Sequence, residues 1–405
     1  MEISLFGTKK SNKTLGVDIG THSIKVAEIT ETRRGVELGL VGIAPTPPGA
    51  VTESGVMDVA ATAAAIRGLL DGTGIETVGA VGALSGPAVI VRQIKMGRLP
   101  EAVLRKTIAW EAKKYVSFPI EDSVVEFQIL PDDAGLLPTE MNVMLVAAPR
   151  ALVDGYVNAM EAAGLEPLAL DIGSFATMRA LIDTAPNPEL FHETIAIVDS
   201  GASYTDVNIV KNGRSVFTRT IGTAGNAITS AITQALGCDT DEAERIKMSM
   251  DVTQATADRS LLRTDKVAGA VVPLLEEVVK EIRRSINFYQ SQFPEGGQEG
   301  LVHRLIISGG TGKLKGLDTY LHSILDMPVE MADVFHQRFV NLDEARANLL
   351  SADAASMVLA AGLALREIVA RRYVAATPRT KASNQGLPKL KSNSKAAKEP
   401  AATAR

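Results

Sequence analysis

The chain has 405 residues, 46% of them hydrophobic and 22% charged, with a formal net charge of −5; this is enough material for more than one packed core, in the proportions of an ordinary soluble protein. The mild negative charge gives no whole-chain case for nucleic-acid binding, and the one cysteine, Cys238, excludes an internal disulfide or a Cys-rich zinc site. The first ten residues lack the apolar core of a signal peptide and no run is long enough to span a bilayer, so the expectation is a cytoplasmic protein whose membrane contact runs through a partner.

The first half opens with strands at Leu15–Ile19, Lys25–Thr30 and Val36–Ile43, followed by a Pro-rich link at Pro45, Pro47 and Pro48. The apolar spacing of Val59–Leu70 predicts a helix, and Val78–Leu84 reads as a buried strand. Residues 86–167 read as an inserted α+β unit. It comprises a strand at Ala88–Met96, a helix at Pro100–Tyr115 with Pro near its first turn, strands at Val124–Leu130 and Met141–Ala147, and a helix at Ala151–Ala163 ended by Gly164. The main fold resumes with a strand at Leu168–Ile172, a helix at Ser174–Ile182 capped by a small polar residue, and a loop over 183–193. Strands at 195–199, 203–207 and Ser215–Thr220 come next. Helices follow at Ala227–Leu236 and Asp241–Met248, then irregular chain to 264. A long amphipathic helix spans Val267–Phe293. The remaining elements are a strand at Leu305–Ser308, a helix at Leu317–Leu325, a strand at Val329–Met331 and a helix at Ala354–Val369.

From about Thr377 the composition changes. Seven Lys or Arg stand against one Glu, among Ala, Ser and three prolines. Too few apolar residues remain to bury a face, which predicts a disordered basic tail over 377–405. The segmentation is therefore 1–14 as an N-terminal segment, 15–85 as a first-lobe core and 86–167 as the insertion. Residues 168–193 complete the first lobe, 194–352 form a second lobe, 353–376 are a connecting helix, and 377–405 are the tail.

One pattern occurs twice. Leu15-Gly16-Val17-Asp18-Ile19-Gly20-Thr21-His22-Ser23 and Ile197-Val198-Asp199-Ser200-Gly201-Ala202-Ser203-Tyr204-Thr205 are each an apolar run, an Asp-x-Gly turn and a cluster of small hydroxyl residues. Each predicts a β-hairpin whose Gly turn permits backbone that a Cβ would block and lets a ligand come close. Exposed N–H groups at such a turn form an anion site, and Thr21, His22, Ser23, Ser203 and Thr205 add donors. An aspartate beside a phosphate repels it unless a cation intervenes. Asp18 and Asp199 therefore imply Mg²⁺, held partly through water. The plain alternative is a tight turn with no ligand. The two copies together point to a duplicated fold with the ligand between its halves.

These residues resemble the actin-like ATPase superfamily, which includes actin, sugar kinases, DnaK-type chaperones and the division protein FtsA. The two hairpins match its phosphate-1 and phosphate-2 motifs, and Ile306-Ile307-Ser308-Gly309-Gly310-Thr311-Gly312 matches its adenosine motif. The helix after Asp171 and the segment Ala360-Ala361-Gly362 match the two connecting helices. The resemblance implies an α/β actin-like fold, two duplicated lobes around a nucleotide cleft with an inserted small α+β subdomain, binding ATP and Mg²⁺. It also implies an attacking water oriented by Asp171, with Asp199 as the second catalytic candidate. The phosphates would meet Gly20, Gly201, Ala202 and Lys25, the last of which can equally face solvent. Gly222, Gly225, Ser308, Gly309, Gly310 and Lys313 lie at the ribose and adenine side. Lys280, Glu281 and Arg284 would bracket ribose and adenine, or else form an exposed ion-pair ladder.

The match narrows to the PilM family of type IV pilus assembly proteins over roughly 1–372. It is carried by Leu5-Phe6-Gly7 with Lys9 and Lys10, Gly97-Arg98-Leu99-Pro100-Glu101, Glu111-Ala112-Lys113-Lys114-Tyr115, Phe118-Pro119-Ile120, Ala147-Ala148-Pro149-Arg150, and Lys280-Glu281-Ile282-Arg283-Arg284-Ser285. His22, where a small hydroxyl residue is usual, and Gly222-Thr223-Ala224-Gly225, where adjacent glycines are common, depart from the pattern. The resemblance implies a cytoplasmic ATP-binding protein, peripheral to the inner membrane, that grips the short tail of a PilN-like membrane protein between the first subdomain and the insertion. It would link that platform to the motor, alongside other pilus proteins and with self-association as a further expectation. Hydrolysis is either slow or replaced by nucleotide acting as a permanent brace. Two other functions stay open at this point: an FtsA-like filament-forming division protein, and a small-molecule kinase of the same superfamily.

Overall fold

The computed structural model describes residues 12–376 apart from 34, 133–135, 185–186, 258–259, 295–296, 298 and 338–350. The Leu5-Phe6-Gly7 motif and the 377–405 segment lie outside the described residues.

Two five-stranded sheets share one topology. In the first, β1 (Lys13–Ile19), β2 (Ser23–Thr32) and β3 (Gly35–Pro45) run antiparallel as a meander. After the short strands β4 (Val51–Thr52) and β5 (Gly55–Val56), helix α1 (Val59–Thr73) returns the chain to β6 (Gly79–Leu84), parallel to β1. Asp58 caps α1 by accepting the Ala61 N–H at 2.9 Å, and Gly74 ends it at a φ of 73° that disfavours any side chain. Strands β7 (Ile90–Gly97), β8 (Ser123–Ile129) and β9 (Glu140–Pro149) form a separate three-stranded sheet in the order β7-β9-β8, covered by α2 (Glu101–Ala112). Then α3 (Arg150–Ala162) leads to β10 (Glu166–Ile172), which completes the first sheet in the order β10-β6-β1-β2-β3. Helix α4 (Gly173–Met178) crosses to the second lobe.

There β11 (Thr194–Ser200), β12 (Thr205–Lys211) and β13 (Arg214–Ile221) repeat the meander. Helices α5 (Gly225–Leu236), α6 (Thr240–Ser249), α7 (Val252–Ala257), α8 (Leu261–Thr264) and α9 (Lys266–Gln290) return the chain to β14 (Arg304–Ser308). After α10 (Leu317–Leu325), β15 (Val329–Met331) completes the sheet in the order β13-β12-β11-β14-β15. The last helix, α11 (Ala354–Ala376), stands after β15 as α4 stands after β10. β1 thus corresponds to β11, β2 to β12, β6 to β14 and β10 to β15. In both lobes a β-strand ending in Asp-x-Gly lies beside a parallel neighbour, so both hairpin tips emerge at the carboxyl ends of the parallel strands, where open α/β sheets hold ligands.

Small residues let α11 pass between the lobes. A Cβ on Gly362 would collide with the Ala176 carbonyl, and one on Gly16 with the Ala360 carbonyl. The apolar core around this crossing takes Ala27 and Ile29 from the first sheet, Ile195 and Ile197 from the second, and Ala361 and Leu365 from α11.

Local details depart from expectation. The start of α4 has no polar side-chain cap, because Ile172 precedes it, and its continuation Arg179–Asp183 widens into a π-turn. The stretch after α6 holds two short helices instead of irregular chain. Helix α3 packs on α1, with Val153 and Met160 in the first-lobe core. The insertion's own core is the smaller set around Leu104, Ile108, Phe127 and Leu145.

Candidate functional site

The two tips face each other across a cleft of about 450 Å³. They close the same way. The Gly20 N–H donates to the Ser23 carbonyl at 3.1 Å, and the Gly201 N–H to the Tyr204 carbonyl at 2.9 Å. Neither glycine has positive φ. What each avoids is crowding, since a Cβ would sit 2.9 Å from the Ser23 carbonyl and 3.3 Å from the Tyr204 carbonyl respectively. The tips touch: the Thr21 and Ser203 hydroxyls hydrogen-bond at 2.9 Å, and the Tyr204 hydroxyl donates to the Glu53 carbonyl of the first lobe at 2.7 Å.

Asp18, Gly20, Thr21, His22, Ser23, Lys25, Asp199, Gly201, Ala202, Ser203, Gly309, Gly310 and Lys313 line this cleft. Lys25 bonds Asp18 at 2.9 Å, both largely shielded from water; β1 and β2 place them opposite one another in the ladder. Among the described residues Asp199 has no such ion pair. Burial and the negative charge of Asp18 push its carboxyl up to about 6, although Ser308, Lys25 and Thr177 pull the other way. A buried carboxylate whose ionisation a second acid opposes is a setting that a cation relieves. No group of three or more His, Cys, Asp or Glu that could hold a metal occurs among the described residues. The donor set therefore fits Mg²⁺ only with water and ligand oxygens completing its shell, the usual habit of that ion.

Four further residues shape the far wall. Helix α6 turns Glu244, Lys247 and Met248 into the cleft. The Lys247 ammonium donates to Glu244 at 2.7 Å and to the Thr229 hydroxyl at 2.9 Å. Burial alone would raise the Glu244 carboxyl; bonds from Lys247 and Thr229, with His22 nearby, hold it below its usual range. Asp206, the third acid at this end, bonds the Thr220 hydroxyl and is pushed up to about 6 by burial. The i, i+3 spacing of Glu244 and Lys247 on one face of a capped helix was the available signal for the first three. For Asp206 it was the alternation of strand β12, which puts it one residue beyond Thr205 on the opposite face.

Several expected residues lie elsewhere. Asp171 is turned into the protein, 4% exposed, with Arg179 at 2.9 Å and Arg366 at 3.7 Å, so it ties β10 to the two crossing helices instead of facing a water in the cleft. Lys280, Glu281 and Arg284 are outside the cleft lining. Glu281 binds Arg219 of β13 and Arg284, one turn on, the ion-pair ladder. Thr205 is fully buried and bonds Ser200 at 2.9 Å and the Thr223 carbonyl at 3.0 Å. Ser308 is buried beneath the floor next to Asp199. Gly225 packs under Thr311, and Gly222 sits in the exposed loop before α5. Lys313 pairs with Asp353 at 2.7 Å on the cleft rim.

The profile of the family described as type IV pilus assembly protein PilM matches residues 16–368. The chain belongs to the PilM family. It superposes on a solved PilM–PilN type IV pilus biogenesis complex with a TM-score of 0.74 at 29% identity, covering 88% of this chain and 98% of that one. The cell division protein FtsA of Neisseria meningitidis serogroup B is 24% identical over 352 residues, 77% of this chain and 82% of the relative. MreB5 of Spiroplasma citri bound to AMPPNP shares the fold, with a TM-score of 0.51 at 11% identity over 91% and 99% of the two chains. The fold is that of the actin-like ATPases, and this PilM-family chain carries the three-stranded insertion within it. No helix among its described residues is long and apolar enough to cross a membrane.

A second cavity, of about 260 Å³, opens on the other side of the second hairpin. Leu84 and Ile172 of the first lobe, Ile90, Val91 and Arg92 of the insertion, and Thr218, Arg219 and Thr220 of β13 line it.

Proposed function

We propose that this PilM-family chain is a nucleotide-braced adaptor of type IV pilus assembly. In this reading it binds Mg²⁺·ATP between the hairpins and grips the extended tail of a PilN-like inner-membrane protein in the groove beside the insertion. It thereby works at the cytoplasmic face and links the membrane platform to other pilus proteins.

The cleft supports nucleotide through the opposed Asp18 and Asp199. Mg²⁺ would supply the positive charge that lets phosphates lie between them. The chain's own residues do the rest. Backbone N–H groups at the Gly20 and Gly201 turns offer donors to phosphate oxygens. Thr21 and Ser203 exchange their mutual hydrogen bond for the ligand. Glu244 and Lys247 offer an acceptor and a cation at the far wall. With Asp171 held by two arginines, no strong case exists for a fast hydrolytic step, since phosphoryl transfer depends on positioning the nucleophile; the nucleotide's part is to hold the lobes together.

The groove carries the partner reading. Its wall includes β7, an outer strand of the insertion, with Ile90 and Val91 as half-buried apolar contacts. A flexible tail can lay its backbone along such an edge and seat apolar side chains alternately. Ordering that tail costs free energy, so the affinity expected is moderate, roughly micromolar. The test is fluorescence titration of a labelled synthetic peptide, the N-terminal tail of the PilN encoded in the same genome, into wild-type protein and a Val91→Glu variant. Saturable binding to the first and at least tenfold weaker binding to the second is expected. Equal binding to both removes the groove as the site.

A further inference from the structure

We propose that the outward face of α2 docks directly on an anionic phospholipid surface, with Trp110 entering the headgroup layer and Lys106 and Lys113 meeting lipid phosphates. This goes beyond the adaptor reading, in which a partner's tail alone brings the chain to the membrane.

Helix α2 carries two stripes. Leu104, Ile108 and Ala112 recur every four residues and are buried, packed with Ile94, Phe127 and Leu145 of the sheet beneath. Val103, Lys106, Trp110 and Lys113, the last being the C-cap, recur at spacings of three, four and three on the opposite side, and all four are exposed. Trp110 is 74% exposed, the most exposed large hydrophobic side chain among the described residues. The inner stripe already supplies the insertion's core, so this indole has no part in it.

The charges on the two sides are sorted. The acids of α2 lie on its flanks, each taken up by a cation: Glu101 by Arg105 at 3.0 Å and Glu111 by Lys114 at 2.7 Å. Glu121 and Asp122 come only after Pro119, in the turn that leads to β8. Among the described residues Lys106 and Lys113 have no carboxylate partner. The outward face is therefore apolar and cationic, with no acid in it.

That combination fits lipid better than protein. Lysine is depleted in protein interfaces. Tryptophan is enriched where bilayer meets water, because its ring is apolar and its N–H still finds a polar partner. A lysine beside it lays its stem along apolar surface and keeps its ammonium at headgroup level. Each lysine near an anionic leaflet strengthens attachment roughly fivefold. A face this small binds weakly alone. A partner's tail held beside the insertion would make the docking intramolecular and raise its effective concentration.

The test exploits the composition: Trp110 is the chain's one tryptophan. Its fluorescence reports this face and not the basic 377–405 segment. Full-length protein, without nucleotide or peptide, is titrated with vesicles of phosphatidylcholine alone and of phosphatidylcholine mixed with phosphatidylglycerol. The mixed vesicles should shift Trp110 emission to the blue, and brominated lipid in them should quench it. Phosphatidylcholine alone should do neither, and high salt should abolish the shift by screening. Lys106→Glu and Lys113→Glu should each weaken the partitioning at least about fivefold. Lys280→Glu, which changes the net charge equally on exposed α9, should leave it unchanged. Vesicle binding with no shift of Trp110 overturns the proposal, because the contact then lies elsewhere. An equal loss from Lys280→Glu overturns it too, since net charge alone would then explain the binding. An equal blue shift with soluble polyglutamate overturns the lipid assignment in favour of an acidic protein partner. The nucleotide and groove readings stand or fall separately, as neither ligand is present.

Discussion

Replacing Asp199 with asparagine should make the nucleotide-free protein more stable while weakening the site. In the folded protein the Asp199 carboxyl is raised from 3.8 to about 6 by burial and by Asp18. A raised acid favours its protonated form in the folded state. Its contribution to stability is therefore fully present below pH 3.8 and is lost as pH rises through about 6. Above that range the empty cleft carries an ionised, repelled carboxylate, a cost of roughly 3 kcal/mol at about 1.4 kcal/mol per pH unit. In Asp199→Asn the amide would keep the shape and the hydrogen bond available from Thr177 without that charge. The expected outcome at pH 7.5 is a gain approaching this figure and a rise in Tm of a few degrees. At pH 4.5 the gain falls to about 1 kcal/mol, because most of the folded wild-type carboxyl is then protonated too. The assay is thermal or urea unfolding of both proteins over pH 4.5–8, without divalent cations. Mg²⁺·ATP should shift the wild-type Tm upward by mass action and shift that of the variant far less. A variant that is less stable than wild type at pH 7.5, or a difference that does not shrink toward low pH, would refute the account of the opposed aspartates.

Other outcomes follow from the same geometry. Gly362→Val puts a side chain into the Ala176 carbonyl and should cost more than about 3 kcal/mol or prevent folding; Gly68→Ala, in the middle of α1 with open space around it, should gain roughly 0.5–1 kcal/mol, both read by unfolding. Asp171→Ala leaves Arg179 and Arg366 without their shared carboxylate, so stability should drop by about 3–5 kcal/mol, while nucleotide affinity of the folded fraction changes less than twofold by calorimetry. Lys247→Ala should weaken nucleotide binding at least tenfold, whereas Lys280→Ala and Arg284→Ala should leave it within twofold; a tenfold loss from either of the latter would return α9 to the site.

The parts legible in the sequence were those that local chemistry dictates. Two apolar runs ending in Asp-x-Gly fix two hairpins, because the pattern sets strand, turn and strand within a dozen residues, and Asp18, Thr21, Ser203 and Gly309 all line the cleft. Gly362, in a run of small residues, marked a close helix crossing, and the crossing is there. What the sequence does not reveal is the direction of a side chain that local pattern leaves undecided. Asp171 ends a strand as Asp18 and Asp199 nearly do, and its fate turns on two arginines, Arg179 and Arg366, the second almost 200 residues away in sequence. Their positive charge within the crossing helices draws the carboxylate inward. Thr205 carries the same hydroxyl as Ser203, yet as the first residue of β12 it is fully buried and spent on Ser200 and the Thr223 carbonyl.

The long amphipathic helix α9 shows the same limit from the other side. Its polar stripe, Lys280, Glu281 and Arg284, has the charge to meet a nucleotide, but Glu281 is taken up by Arg219 of β13 and by Arg284 itself. The shorter α6 has a weaker pattern and supplies Glu244 and Lys247 instead, since it is the helix that the loop after α5 lays across the cleft mouth. Which of two polar helices meets a ligand depends on layer order, a property of the whole fold. The same layer order brings β13 to the edge of its sheet, beside β7, and so gives the second lobe a place in the wall of the second cavity.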